Sequence, residues 1–150
     1  MGRPIYESGR NSEAERRLAI SVASIGSYGA LKMPKLSALD WLFFRGSDYR
    51  FCEIKCRSNP VRLYPTLMVS KEKMERGRIV SEALKIPARL VIGWIDFVGW
   101  IPIDEKPESI GEGGRVDRGD SMDIELCAFY RIDQFREIKV APPFEKGAGG

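Results

Sequence analysis

Histidine is missing from all 150 residues. That absence removes the Ser-His-Asp and Cys-His nucleophile systems, the histidine general base and the histidine metal triad. Any hydrolytic chemistry would have to be run by carboxylates, lysine and a hard metal ion. Cysteine is scarce and odd in number, with only Cys52, Cys56 and Cys127. The first two are four apart on one expected strand, too far to bond each other there. Without histidine they make a poor zinc set, so buried thiols are expected. No apolar run approaches the length of a membrane span, and the basic, polar N-terminus carries no signal-peptide core. An intracellular, cytoplasmic protein without membrane contact is the expectation.

Net charge is small, +3, but unevenly spread. Residues 1–78 carry 15 Lys or Arg against 8 Asp or Glu, a balance of +7, while residues 79–150 carry 9 against 13, a balance of −4. A basic half suits a polyanionic partner. Within it lies Ser37–Asn59, SALDWLFFRGSDYRFCEIKCRSN, which has the pattern of two strands joined by a short turn at Arg45–Asp48. Strand alternation sends Glu53 and Lys55 to one face and Cys52, Ile54 and Cys56 to the other. A register with Asp40 opposite Glu53 brings two carboxylates and an ammonium together, a like-charge arrangement that a cation or the lysine must offset. The alternative is a ladder of surface ion pairs on an antiparallel pair.

Leu39-Asp40, followed by Glu53-Ile54-Lys55 on the next strand, resembles the PD-(D/E)xK nuclease signature, with Leu39 in place of the usual proline. The resemblance implies a restriction-endonuclease-like α/β core, a central mixed β-sheet flanked by helices in an αβββαβ-type order. It also implies a Mg²⁺- or Mn²⁺-dependent endonuclease that hydrolyses phosphodiester bonds of DNA, in a structure-selective (junction or branched) or nicking manner. Asp40, Glu53 and the backbone carbonyl of Ile54 would then be metal ligands, with Lys55 orienting the attack and stabilising charge. The segment Ala14-Glu15-Arg16-Arg17-Leu18 resembles the first helix of archaeal Holliday-junction resolvases in this superfamily. That implies Glu15, rather than Glu13, as a further acid and metal ligand; a surface glutamate is the alternative. Ser70 and Lys73 resemble a serine, two residues, lysine element of resolvase-like and phage-type members, which implies that Lys73 turns back to the site and steadies a phosphate. An i,i+4 surface pair is its alternative. Resolvase-like relatives further imply a homodimer, with the apolar hairpin at 90–103 as candidate surface. A non-catalytic nucleic-acid-binding protein on the same fold is the alternative function.

The remaining expectations come from local pattern. A helix from a cap at Asn11 or Ser12 to about Ser24 would have Glu13 and Glu15 in its first turn and Ala14, Leu18, Val22 and Ile25 inward. A loop over 26–35 would lead into a two-sided apolar strand at 38–45. Arg57, Arg62 and Tyr64 stand around Pro60 and Pro65 as substrate-contact candidates. A second helix over Ser70–Leu84 would pack through Met74, Ile79, Val80 and Leu84. A hairpin from Arg89 to Ile103, a long loop at 104–123, a strand at Ile124–Tyr130 and a helical turn at Asp133–Ile138 complete one domain, 1–150, with flexible ends at 1–10 and 142–150. In the long loop, residues 113–120 allow a substrate clamp through Arg115 and Arg118, a partner surface or a turn network of Asp–Arg pairs.

Overall fold

Side-chain alternation along the strands decides the layering of this protein. The computed structural model describes residues 9–114 and 124–143. The elements run α1 (Gly9–Ile25), β1 (Gly29–Lys32), β2 (Trp41–Arg45), β3 (Asp48–Cys56), β4 (Thr66–Ser70), α2 (Lys71–Leu84), β5 (Ala88–Gly93), β6 (Val98–Pro102), β7 (Ser109–Gly114), β8 (Ile124–Arg131), a 3-10 turn at Ile132–Gln134 and β9 (Arg136–Glu137). Six strands form one mixed sheet in the order β1-β2-β3-β5-β6-β9, and three form a second in the order β4-β8-β7. Among the described strands, only β3 and β5 pair in parallel. A parallel pair needs a long crossover, and β4 with α2 supplies it.

On one face, Ala14, Leu18, Ala19 and Ala23 of α1 pack on Trp41, Phe43, Cys52, Ile54, Cys56, Val91 and Val98. Three alanines on the contact stripe let the helix lie close to the sheet. On the other, Phe51, Leu90, Ile92 and Trp94 meet Met74 of α2 and Leu67, Val69, Ala128 and Tyr130 of the small sheet. Leu18 and Leu90 are at most 1% exposed, and truncating either to alanine would cost about 2–5 kcal/mol. This is the restriction-endonuclease-like α/β architecture that the signature implied.

The turn of the β2–β3 hairpin is two residues long, between the paired Arg45 and Asp48. Gly46 takes φ +60° at its first position, where such turns favour glycine. Helix α2 starts where Ser70 Oγ accepts from Lys73 N at 3.2 Å. It ends at Lys85, which adopts φ 57° while its N–H reaches back to Glu82, and Pro87 follows. All three cysteines are buried and free. No helix among the described residues is long and apolar enough to cross a membrane.

Several local expectations are corrected. Helix α1 begins at Gly9, before the expected cap, so Glu13 and Glu15 fall outside its first turn. Its inward stripe turns through Ala19 and Ala23, leaving Val22 half-buried and Ile25 59% exposed. The expected loop at 26–35 contains β1, an edge strand stabilised by pairing with β2 rather than by its own composition. Strand β2 starts at Trp41 and lies one place from that edge, so Phe44 is partly exposed instead of covered on both faces. In α2, Ile79 and Leu84 face solvent, and Gly77 joins Met74 in the interior. The expected loop at 104–123 contains β7, held by β8. The expected helical turn at 133–138 is shorter and gives way to β9. The 90–103 hairpin is internal, flanked by β3 and β9 and largely buried, and does not present a docking face. Arg115 and Arg118, most of the 113–120 motif and the chain ends at 1–8 and 144–150 lie outside the described residues.

Candidate active site

The ladder between β2 and β3 pairs Trp41 with Cys52 and stops there. One step further, Asp40 stands across from Glu53, and its backbone N–H donates to Glu53 Oε1 at 3.2 Å. Asp40 is itself tied down, its carbonyl accepting from Met33 N at 2.7 Å, while Leu39 before it is buried in the core. Among the described strands none pairs with that edge of β3 beyond this point, which leaves main-chain oxygen near Ile54 as a further candidate donor to a ligand.

Glu53 is the one buried charged side chain among the described residues, 2% exposed. Two ammonium groups approach its Oε2: Lys73 Nζ from the first turn of α2 at 3.1 Å, and Lys55 Nζ, two residues along β3, at 3.8 Å. Yet Oε2 accepts no hydrogen bond, so the 3.1 Å approach is an ion pair without hydrogen-bond alignment. Burial pushes the Glu53 carboxyl up to about 7, and the neighbouring Asp40 carboxylate adds to the rise; Lys73 and then Lys55 oppose it. A buried carboxylate that two lysines do not fully compensate is a position where positive charge is favoured.

Asp40, Lys55 and Lys73, the groups around Glu53, line a cleft of about 720 Å³ together with Glu15, Lys32, Lys35, Cys56 and Arg57. Glu15 therefore faces the same space as Asp40, Lys55 and Lys73. Glu13 instead pairs with Arg17 at 3.6 Å on the surface. Cys56 is no nucleophile here: burial, with Glu15 second, pushes its thiol up to about 12. Arg57 lies between the cleft and a neighbouring cavity. Arg62 and Tyr64 do not reach the cleft, and line a separate depression with Arg131 and Asp133. The sequence reading missed Lys32 and Lys35 as cleft residues, because their place depends on the unforeseen edge strand β1.

Among the described residues no three acidic or cysteine side chains gather closely enough to form a metal cage by themselves. The donors that are present are oxygen, two of them carboxylates in contact across one hairpin. One of those carboxylates has an oxygen with no hydrogen bond. That set fits a small hard dication, which keeps several waters and takes one or two carboxylates from the protein.

The family described as phage putative PDDEXK endonuclease matches residues 1–138. Among solved structures, the Holliday junction resolvase Hjc of the archaeal hyperthermophile Archaeoglobus fulgidus superposes with a TM-score of 0.62 at 14% identity, covering 87% of this chain and 93% of that one. No curated protein matches the sequence significantly.

Proposed function

The chain belongs to the phage PDDEXK endonuclease family, and from that premise we propose that it is a Mg²⁺- or Mn²⁺-dependent endonuclease that hydrolyses phosphodiester bonds of DNA, with structure-selective or nicking action. The observation that carries this reading is Glu53, a carboxylate 2% exposed, held against Asp40 and two lysines with one oxygen left without a hydrogen bond. A charge so placed is unfavourable for folding alone and favourable for binding a cation.

Asp40, Glu53 and the carbonyl of Ile54 would hold the ion, with Glu15 from α1 on the facing wall. When bound, such an ion lowers the pKa of a water and neutralises charge on the phosphate. Lys55, one-third exposed at the mouth of the site, sets a fixed positive charge where the scissile phosphate enters, and stabilises charge that builds on its oxygens. Lys55 orients the phosphate and stabilises charge rather than acting as general base. Lys73 keeps Glu53 in place by their ion pair and adds a second cation for the phosphate. Lys32, Lys35 and Arg57 continue the basic lining outward, as a phosphate backbone requires. The one domain, 1–150, would carry the whole site, and a second copy of the chain would supply the symmetry that a branched duplex presents.

The test is incubation with supercoiled plasmid, a four-way junction, single-stranded DNA and RNA, each with Mg²⁺, Mn²⁺ or EDTA. Cleavage of DNA that EDTA abolishes is expected. Mg²⁺ should also raise the melting temperature of the wild type in a concentration-dependent way and leave Asp40→Asn unmoved. Cleavage that persists in EDTA, or no cleavage with either metal, would overturn the reading.

A further inference from the structure

We propose that the cavity on the far side of Arg57 receives one unpaired nucleobase of the strand being cut, so that the substrate is a bulged, branched or single-stranded nucleic acid. This rests on the nuclease reading above and adds the substrate class to it.

Arg57 is shared. It lines the carboxylate cleft and also a second cavity of about 360 Å³, within the size range of small-ligand sites. The walls of that second cavity are apolar and aromatic, from Tyr64, Pro65, Leu67, Met68 and Trp94, with Asn59 at the side. Trp94 belongs to the buried floor, whereas Tyr64 is 59% and Met68 42% exposed. A flat apolar ligand would therefore have a rigid base under it and an aromatic ring to close against it.

The rim is built rather than collapsed. Val61 N donates to Asp96 Oδ1 at 2.8 Å and Ile95 N to Asn59 O at 3.3 Å, which fix the 57–66 loop to the β5–β6 turn. Ile132 N donates to Pro65 O at 3.2 Å and closes the other end.

Arg57 itself is half-buried and under-occupied. Its guanidinium makes long bonds to the carbonyls of Cys56 at 3.4 Å and Met68 at 3.3 Å, and no ion pair with a described carboxylate. Glu15 acts on it electrostatically. A guanidinium with donors to spare, between a site for the scissile phosphate and an apolar cavity, matches a nucleotide next to the cut: phosphate on the arginine, base in the cavity. A base within a duplex must first unstack and unpair to enter, whereas a bulged or single-stranded base avoids much of that cost. Stacking on one aromatic ring strengthens binding by roughly 5- to 150-fold per base, so the cavity converts unpairing into selectivity.

The experiment compares three labelled DNAs in Mg²⁺: a perfect duplex, the same duplex with one unpaired nucleotide, and that bulge with an abasic site in place of the unpaired base. The wild type should cut the bulge on the order of 10-fold faster than the duplex, the abasic bulge should lose most of that advantage, and Tyr64→Ala should lose it as well. Tyr64 is largely exposed, so the variant should melt like the wild type, and a thermal melt checks this. A second variant, Tyr64→Phe, keeps the ring and should retain the bulge preference that Tyr64→Ala loses. Equal cutting of bulge and abasic bulge, or an undiminished preference in Tyr64→Ala, would overturn the base pocket and leave the nuclease standing. No cutting of any substrate would remove the nuclease and this proposal together.

Discussion

Lys73 Nζ stands 3.1 Å from Glu53 Oε2, joining the first turn of α2 to the most buried acid of the central sheet. Lys55, on the same strand as that acid, is further off at 3.8 Å. The closer partner comes from an element 20 residues along the chain, and the two lysines should therefore answer mutation differently.

Lys73→Met should destabilise the metal-free protein by about 1–3 kcal/mol at pH 8, where it leaves a buried carboxylate less compensated, and by much less at pH 5, where Glu53 holds its proton. Lys55→Ala should change stability little and reduce cleavage roughly 100-fold or more while metal binding persists. Urea unfolding at the two pH values and single-turnover cleavage check the pair. Unimpaired turnover in Lys55→Ala would remove its assigned role.

The folded-state pKa of Glu53, about 7, lies above the ordinary carboxylate value of 4.5. Between those values the native state binds more protons than the unfolded one, so this group's contribution to stability falls as pH rises from 4.5 to 7 and is flat beyond. Glu53→Gln removes that dependence. Wild-type stability minus variant stability, measured without metal, should drop by on the order of 3 kcal/mol between pH 4.5 and pH 8; a difference independent of pH would show that the carboxyl is not raised.

Glu15 and Glu13 are two positions apart on α1 and face different surroundings, the cleft and Arg17 respectively. Glu15→Gln should lower cleavage at least 10-fold and weaken the response to Mn²⁺, and Glu13→Gln should do neither. Equal effects would mean that neither acid belongs to the site.

A Cβ at Gly77 would lie 3.0 Å from Leu39 Cδ2 and 3.3 Å from Ile103 Cδ1. Alanine there gains about 1 kcal/mol of helix propensity and loses more by pressing on two buried side chains. Gly77→Ala should be destabilising by about 1 kcal/mol net. Because Leu39 adjoins Asp40, its cleavage rate should fall by more than that loss of stability explains.

The hairpin at the site was legible because one turn fixes its arithmetic: with Arg45 opposite Asp48, Asp40 must come opposite Glu53. The alternation of Phe51–Cys56 was equally open to reading, since Cys52, Ile54 and Cys56 fall on the face that packs on α1 and Glu53 and Lys55 on the other. The small sheet was not. Strand β4 follows a proline-rich loop and runs straight into the cap of α2. Strand β7, SIGEGG, is half glycine and has the composition of a loop. It is a strand because β8 lies beside it and because Gly113 leaves room for Cys127 Sγ and Met68 Sδ, a relation between distant segments that local pattern does not contain. Edge strand β1 failed for the same reason. Lys73 was legible as a candidate only through its motif, since spacing along α2 says nothing of how that helix sits against β3.

Ser70 closes β4 and at the same time caps α2, so the small sheet and the helix that carries Lys73 share a joint with no slack residue. Whatever tugs on the β4–β8 ribbon tugs on the ammonium beside Glu53 as well. The remote ribbon is thus mechanically geared to the carboxylate cleft.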